Sequence, residues 1–172
     1  IPRESLFSIS AWISPRTAGG VQTIISQLGG SNRVRLGDYA FRVSGNKLQF
    51  FIRPADANKV QLVSSAADIP VGAWTTVTVV YGIANNEPTA MRLYINGQLD
   101  GETVRESNYA STGDAIQLTR VGAAELIVPC DGACKTRFPF NGSIDELMVF
   151  DYPLSASEVL TMYQNFDIYK ED

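Results

Sequence analysis

Short runs rich in Val, Ile, Thr and aromatic residues recur along the whole chain, each stopped within a few positions by a cluster of Gly, Pro, Asn or Asp. β-Branched and aromatic side chains suit a pleated, half-buried surface, and the close punctuation leaves no room for long helices between the runs. Such a chain folds as an antiparallel sandwich or barrel. The pattern predicts strands over residues 6–13, 21–28, 39–43, 47–52, 60–64, 74–81, 91–95, 115–121 and 143–150.

Ser44-Gly45-Asn46 and Asn96-Gly97 supply the positive φ angles that tight hairpins require, and so predict two hairpins. Within 74–81, alternation puts Val77, Val79 and Tyr81 on one face, assigned to the core, and Thr76, Thr78 and Val80 on the other. One helix is expected, over 154–163. Ser155 is its cap, Glu158 completes a capping box, Leu154 and Val159 have the spacing of a hydrophobic staple, and Pro153 stiffens the entry. Residues 82–89 and the irregular insertion 123–138 are the expected surface loops, where binding residues tend to be carried.

At 172 residues the chain is read as a single domain, 1–172, which buries roughly 70% of its unfolded surface. It begins with Ile, which suits a processed mature form or a fragment of a larger protein. Net charge is −4 with no basic block, so nucleic acid is not an expected partner. Apolar runs such as 77–81 fall far short of the ~20 residues that span a bilayer, so no membrane insertion is expected.

The chain has no histidine, which excludes Ser-His-Asp and Cys-His nucleophilic catalysis and any His-ligated metal. Cys130 and Cys134 lie close together beside Pro129 and Gly132. A local disulfide is the favoured reading in an oxidising compartment, and a pair of free thiols is the alternative. Two thiolates alone cannot complete a tetrahedral metal shell.

Four stretches in order, FSISAWI (7–13), VGAWTTVTVVY (71–81), MRLYINGQLDGE (91–102) and FNGSIDELMVFDYPLSASEV (140–159), resemble the laminin-G-like jelly-roll family of the concanavalin-A-like lectin and glucanase superfamily. The last is the most specific, a Gly-x-Ile-Asp-Glu strand running through Pro-Leu-Ser into a capped helix. The resemblance implies an all-β fold, a two-sheet antiparallel β-sandwich (jelly roll) with one short C-terminal helix, in a secreted or cell-surface protein. Such domains begin with a further strand bearing a Phe-Asp-Gly-like motif, whereas only residues 1–5 precede the first match here. That strand is therefore absent, supplied by the tail 166–172, or carried on a separate polypeptide. An unpaired sheet edge would invite association with the rest of a larger protein.

The superfamily includes glycosidases that resemble Glu-x-Asp-x-(x)-Glu, but this chain has Ser143, Asp145 and Met148 at those positions. Adjacent residues on a regular strand point to opposite faces, so Asp145 and Glu146 are not expected to flank one glycosidic bond, and the chain is not expected to be an enzyme. The resemblance also raises a structural Ca²⁺, with Asp145 as the carried-over ligand and Asp38, Asp114 and Asp131 as further oxygen donors. The favoured alternative is a solvated or hydrogen-bonded acid; no other cofactor is expected.

A sugar site needs an exposed ring for the apolar face and polar groups for the hydroxyls. Asp38 with Tyr39, Asn108 with Tyr109, and Arg137 with Phe138 have that composition, each set against a plain packing role. Trp12 and Trp74 match positions that the resemblance implies are buried. Arginine outnumbers lysine, and Arg33, Arg35, Arg42 and Arg53 fall in neighbouring strands or turns. Planar guanidinium groups suit carboxylate or sulfate, so an anionic glycan enters as a hypothesis against a solvated sheet face. Asn141-Gly142-Ser143 is a formal glycosylation acceptor or simply a turn. The functional expectation is a non-catalytic recognition module binding a glycan or glycoprotein; the alternative is an adhesion or scaffolding domain with a protein partner.

Overall fold

The computed structural model describes residues 6–27, 39–52, 60–82, 90–104, 119–125 and 136–167. They form β1 (Phe7–Pro15), β2 (Val21–Gln27), β3 (Tyr39–Ser44), β4 (Lys47–Ile52), β5 (Gln61–Asp68) and β6 (Thr75–Gly82). Then come β7 (Ala90–Ile95), β8 (Gln98–Val104), β9 (Thr119–Val121), β10 (Ala124–Glu125), β11 (Thr136–Arg137), β12 (Gly142–Phe150) and α1 (Ala156–Asp167). One antiparallel sheet runs β12-β1-β6-β7-β8 and the other β5-β4-β3-β2-β9, with β10 and β11 as a separate ribbon. This is the expected two-sheet sandwich.

Both hairpins form where expected. Gly45 (φ 57°) and Asn46 (φ 72°) join β3 to β4, and Asn96 (φ 49°) and Gly97 (φ 76°) join β7 to β8. Two consecutive positive φ angles give the turn whose twist matches its strands. Strand β8 was not among the predicted runs. Its sequence, QLDGETV, is polar because it is an edge strand with mostly exposed side chains, so only the turn before it betrays it. The segment 123–138, expected to be irregular, contains the β10–β11 ribbon.

The core fills the space between the sheets. Phe7, Tyr39, Phe50 and Tyr81 pack with ring centroids 5.3 to 6.2 Å apart, the tilted and edge-on arrangements that aromatic quadrupoles favour. Val77, Val79 and Tyr81 face this core as predicted. The other face of β6 is buried too, because Val80 joins Tyr94, Leu154 and Val159 in a second apolar cluster beneath α1. The buried Ser10 and Thr78 hydroxyls satisfy each other at 2.9 Å.

Helix α1 starts as read. The Ser155 amide donates to Glu158 Oε2 at 2.7 Å, the Glu158 amide donates to Ser155 Oγ at 3.3 Å, and Leu154 and Val159 are 3% and 2% exposed. Each half of the box satisfies an N–H that the first helical turn leaves without a partner. The helix extends beyond the predicted end, to Asp167.

One side of the sandwich is closed by β5 and β8. The Ala67 amide donates to Asp100 Oδ2 at 2.9 Å, and Gly101 lies so near β5 that a Cβ would sit 2.6 Å from the Ser64 carbonyl oxygen. On the other side, Val121 of β9 and Val149 of β12 pair with the core residues Ile25 and Ile9, yet are 56% and 39% exposed. Of the tail 166–172 named as a source of the expected opening strand, residues 166–167 end helix α1, and 168–172, like 1–5, lie outside those described. No helix among the described residues is long and apolar enough to cross a membrane.

Candidate functional site

Tyr39 corrects one expectation. It is 2% exposed, with its ring against Phe7 and Phe50, because position 39 faces inward with Phe41 and Val43. It has no surface to offer a sugar. The two tryptophans also divide. Trp12 is buried at 5% exposure, 6.1 Å from the Tyr163 ring, but Trp74 precedes β6 and is 43% exposed, contrary to the burial expected of it. Arg137 and Phe138 are at the surface as expected, Phe138 at φ 55° with its carbonyl accepting the Thr23 amide at 3.0 Å. Arg33, Arg35, Asp38, Arg53, Asn108, Tyr109, Asp114, Cys130, Asp131 and Cys134 lie outside the described residues.

The register of the second sheet builds a site around Arg42. Across β2, β3, β4 and β5 it aligns Thr23, Arg42, Gln49 and Ser64 in one row, and Ser26, Ala40, Phe51 and Leu62 in the next row on the same face, which points away from the inter-sheet core and on which Thr23, Ser26, Ala40 and Phe51 are buried. Arg42 Nε and Nη2 donate to Gln49 Oε1 at 3.2 and 3.1 Å, and Gln49 Nε2 donates to Ser64 Oγ at 2.9 Å. The guanidinium carbon is 5.0 Å from the centroid of the Phe51 ring, within cation–π range. A polar ladder thus crosses three strands over an aromatic floor. Leu62, 49% exposed, supplies an apolar shoulder, and the Lys47–Asp68 ion pair at 2.7 Å lies one row further on.

Arg42 is half-buried, and burial pushes its pKa below the ordinary guanidinium value. An arginine keeps its proton at neutral pH even so. Its partners among the described residues, an amide oxygen and a ring, are both neutral, so this partly desolvated cation has no described carboxylate beside it. Such a group gains from an anion that replaces lost hydration. Arg42 was visible in the sequence among other arginines, but Gln49, Phe51 and Ser64 were missed.

Asp145 and Glu146 are both exposed, and Glu146 has φ 47°. Trp12 pairs with Asp145 and Ser10 with Met148, so β12 holds one more residue than β1 over this interval. The bulge breaks the alternation expected here, and it explains how Ile144 and Leu147, three apart, both reach the core. Asp145 Oδ1 accepts the Glu146 amide at 2.8 Å, the hydrogen-bonded alternative named for this acid. Among the described residues no group of three or more His, Cys, Asp or Glu gathers, and Asp38, Asp114 and Asp131, the further donors named for Ca²⁺, lie outside them. Asn141 is exposed; its side-chain amide donates to Thr17 Oγ1 at 3.2 Å, and its backbone amide donates to Gln22 Oε1 at 3.0 Å.

The family described as the concanavalin A-like lectin/glucanases superfamily matches residues 1–160. Among solved structures, the CBM40 module of the Ruminococcus gnavus IT-sialidase bound to α2,3-sialyllactose superposes with a TM-score of 0.73 at 17% identity, covering 92% of this chain and 83% of that one. A pentraxin of Limulus polyphemus gives a TM-score of 0.61 at 19% identity, covering 92% and 70%. A leech intramolecular trans-sialidase gives 0.70 at 15% identity, over 91% of this chain but 23% of the enzyme. At these identities the likeness is one of fold. No curated protein matches the sequence.

Proposed function

The chain belongs to the concanavalin A-like lectin/glucanases superfamily, and on that footing we propose that it is a non-catalytic recognition module whose outward sheet face binds a carboxylate-bearing glycan at Arg42. The observation that carries this reading is the half-buried guanidinium whose partners among the described residues, Phe51 and Gln49, are both neutral. A planar guanidinium pairs with a carboxylate through two parallel N–H donors, and the cross-strand ladder orients it beforehand. Gln49 and Ser64 are placed for sugar hydroxyls, and exposed Leu62 for an apolar sugar face. The same fold in the Ruminococcus gnavus module is bound to sialyllactose, which supports the choice of ligand class. A secreted or cell-surface setting belongs to this reading and rests on the family resemblance.

The test is a glycan array carrying sialylated glycans and their asialo counterparts, read with and without Ca²⁺. The sialylated members should be retained, and Arg42→Ala should weaken them about tenfold or more, as expected for a lost charge-assisted hydrogen-bonded pair. A parallel variant replacing Arg33 and Arg35 asks whether those arginines share the site. Equal retention of the asialo counterparts, or indifference to Arg42→Ala, overturns the proposal.

A further inference from the structure

A second feature lies on the other sheet and does not depend on the glycan reading. Between the outward face of β12 and helix α1 runs an apolar groove of about 480 Å³, lined by Met148, Phe150, Tyr152, Leu154 and Met162, with Glu158 at its rim. Phe150 and Tyr152 meet edge-on at 5.7 Å, and Tyr152 is 45% exposed. The groove lies beside a sheet edge, because among the described residues β12 pairs with β1 on one flank and with no strand on the other. A bulge interrupts that edge at Glu146, leaving 147–150 as its straight portion.

Charge indicates what fits there. Between 138 and 167 every charged residue is an acid, and Asp145, Glu146 and Asp151 bracket the straight portion at both ends. A second copy pairing antiparallel along 147–150 would set Glu146 of one copy opposite Asp151 of the other, which like-charge repulsion disfavours. A bare edge with an apolar flank takes an added strand, since main-chain hydrogen bonds supply affinity and side-chain pockets supply selectivity. We propose that β12 and the groove beside it dock an extended segment of a partner protein in which about four apolar residues are bracketed by lysine or arginine. The segment pairs with 147–150, inserts side chains beside Met148 and Phe150, and places its basic ends against Asp145, Glu146 and Asp151.

The test uses the full chain and a synthetic probe, acetyl-Lys-Lys-Val-Tyr-Val-Phe-Lys-Lys-amide, followed by amide chemical shifts and hydrogen exchange. Binding should shift and protect amides of 147–150 and shift those of Tyr152 and Met162. Asp151→Lys should weaken it about fivefold, in line with one exposed ion pair, and Met148→Glu should abolish it. A version with glutamate in place of lysine should not bind. The proposal fails if that version binds equally, or if the probe perturbs Arg42 and Phe51 instead. It also fails if the outward amides of 147–150 are already protected in the free protein, because residues such as 1–5 or 168–172 would then occupy the edge.

Discussion

Arg42 and Phe51 form a diagonal pair across β3 and β4, with the guanidinium carbon 5.0 Å from the ring centroid. The ring lies against the cation while Gln49 Oε1 accepts two of its N–H groups. Phe51→Leu keeps the charge and most of the apolar floor but removes the quadrupole, worth about 0.5–2 kcal/mol. Affinity for 3′-sialyllactose, measured by calorimetric titration, should fall severalfold while the unfolding temperature changes little. Unchanged affinity would show that the stack does not prepare Arg42 for its ligand.

Gly142 opens β12 where a side chain has no room. A Cβ there would run into the Ser14 carbonyl oxygen and lie 2.9 Å from the Phe140 ring. Gly142→Ala should therefore destabilise the fold by about 1–3 kcal/mol, the range for an overpacked site. Urea unfolding of this variant beside Ser143→Ala measures the effect; equal midpoints would contradict so close a strand approach.

The Ser155 hydroxyl and its backbone amide both donate to the Glu158 carboxylate, at 2.7 Å each, and these bonds hold its pKa below the ordinary glutamate value. A group with a folded pKa below its unfolded one contributes stability at pH above the unfolded value, about 4.3, and loses it as pH falls through the folded value. Carboxyl carbon shifts followed by NMR should place the Glu158 midpoint below that of a free glutamate. In Glu158→Gln this part of the acid dependence of stability should disappear; a variant that keeps the wild-type dependence would show that the Ser155–Glu158 bonds do not stabilise the fold.

The unlike exposures of Trp12 and Trp74 make a direct optical prediction. Acrylamide should quench the emission in two components, and Trp74→Phe should remove the accessible one. The remaining emission, from Trp12 beside Tyr163, should then report undocking of α1. A single poorly quenched component in the wild type would contradict the exposure of Trp74.

Much of this arrangement was legible in residue order alone. Gly45-Asn46 and Asn96-Gly97 fixed two hairpins, and Ser155 with Glu158 marked the helix start, because turn and cap chemistry is local. The Arg42 ladder was nearly within reach, since counting outward from a two-residue turn pairs Ser44 with Lys47 and so Arg42 with Gln49. Ser64 was not, because β5 departs from simple register between the partners of Lys47 and Gln49. Tyr39 was misjudged because its polar neighbour Asp38 suggested a surface, while inward alternation along β3 decides the matter. The bulge at Glu146 left one trace, the apolar spacing of three from Ile144 to Leu147.

The hydroxyl of Ser8 accepts the Leu154 amide at 2.8 Å and donates to the Tyr152 carbonyl at 3.0 Å, across separations of 146 and 144 residues. The first described strand is thus sealed by the segment that follows the last, and forming that seam closes a loop of 144 to 146 residues. By the logarithmic scaling of loop closure, its length-dependent entropy cost is about 4 kcal/mol, which no contact repays until the ends meet. Hairpins β3–β4 and β7–β8 bear no such cost, so we expect them to be structured in the folding transition state and the β1–β12 seam to zip afterwards. Near-zero φ-values at Ile144 and Leu147, beside larger ones at Phe41 and Leu93, are the kinetic signature of that order; the reverse ranking would refute it. Between the two events β1 would be an unsheltered template, the interval in which a nascent chain is most open to mispairing.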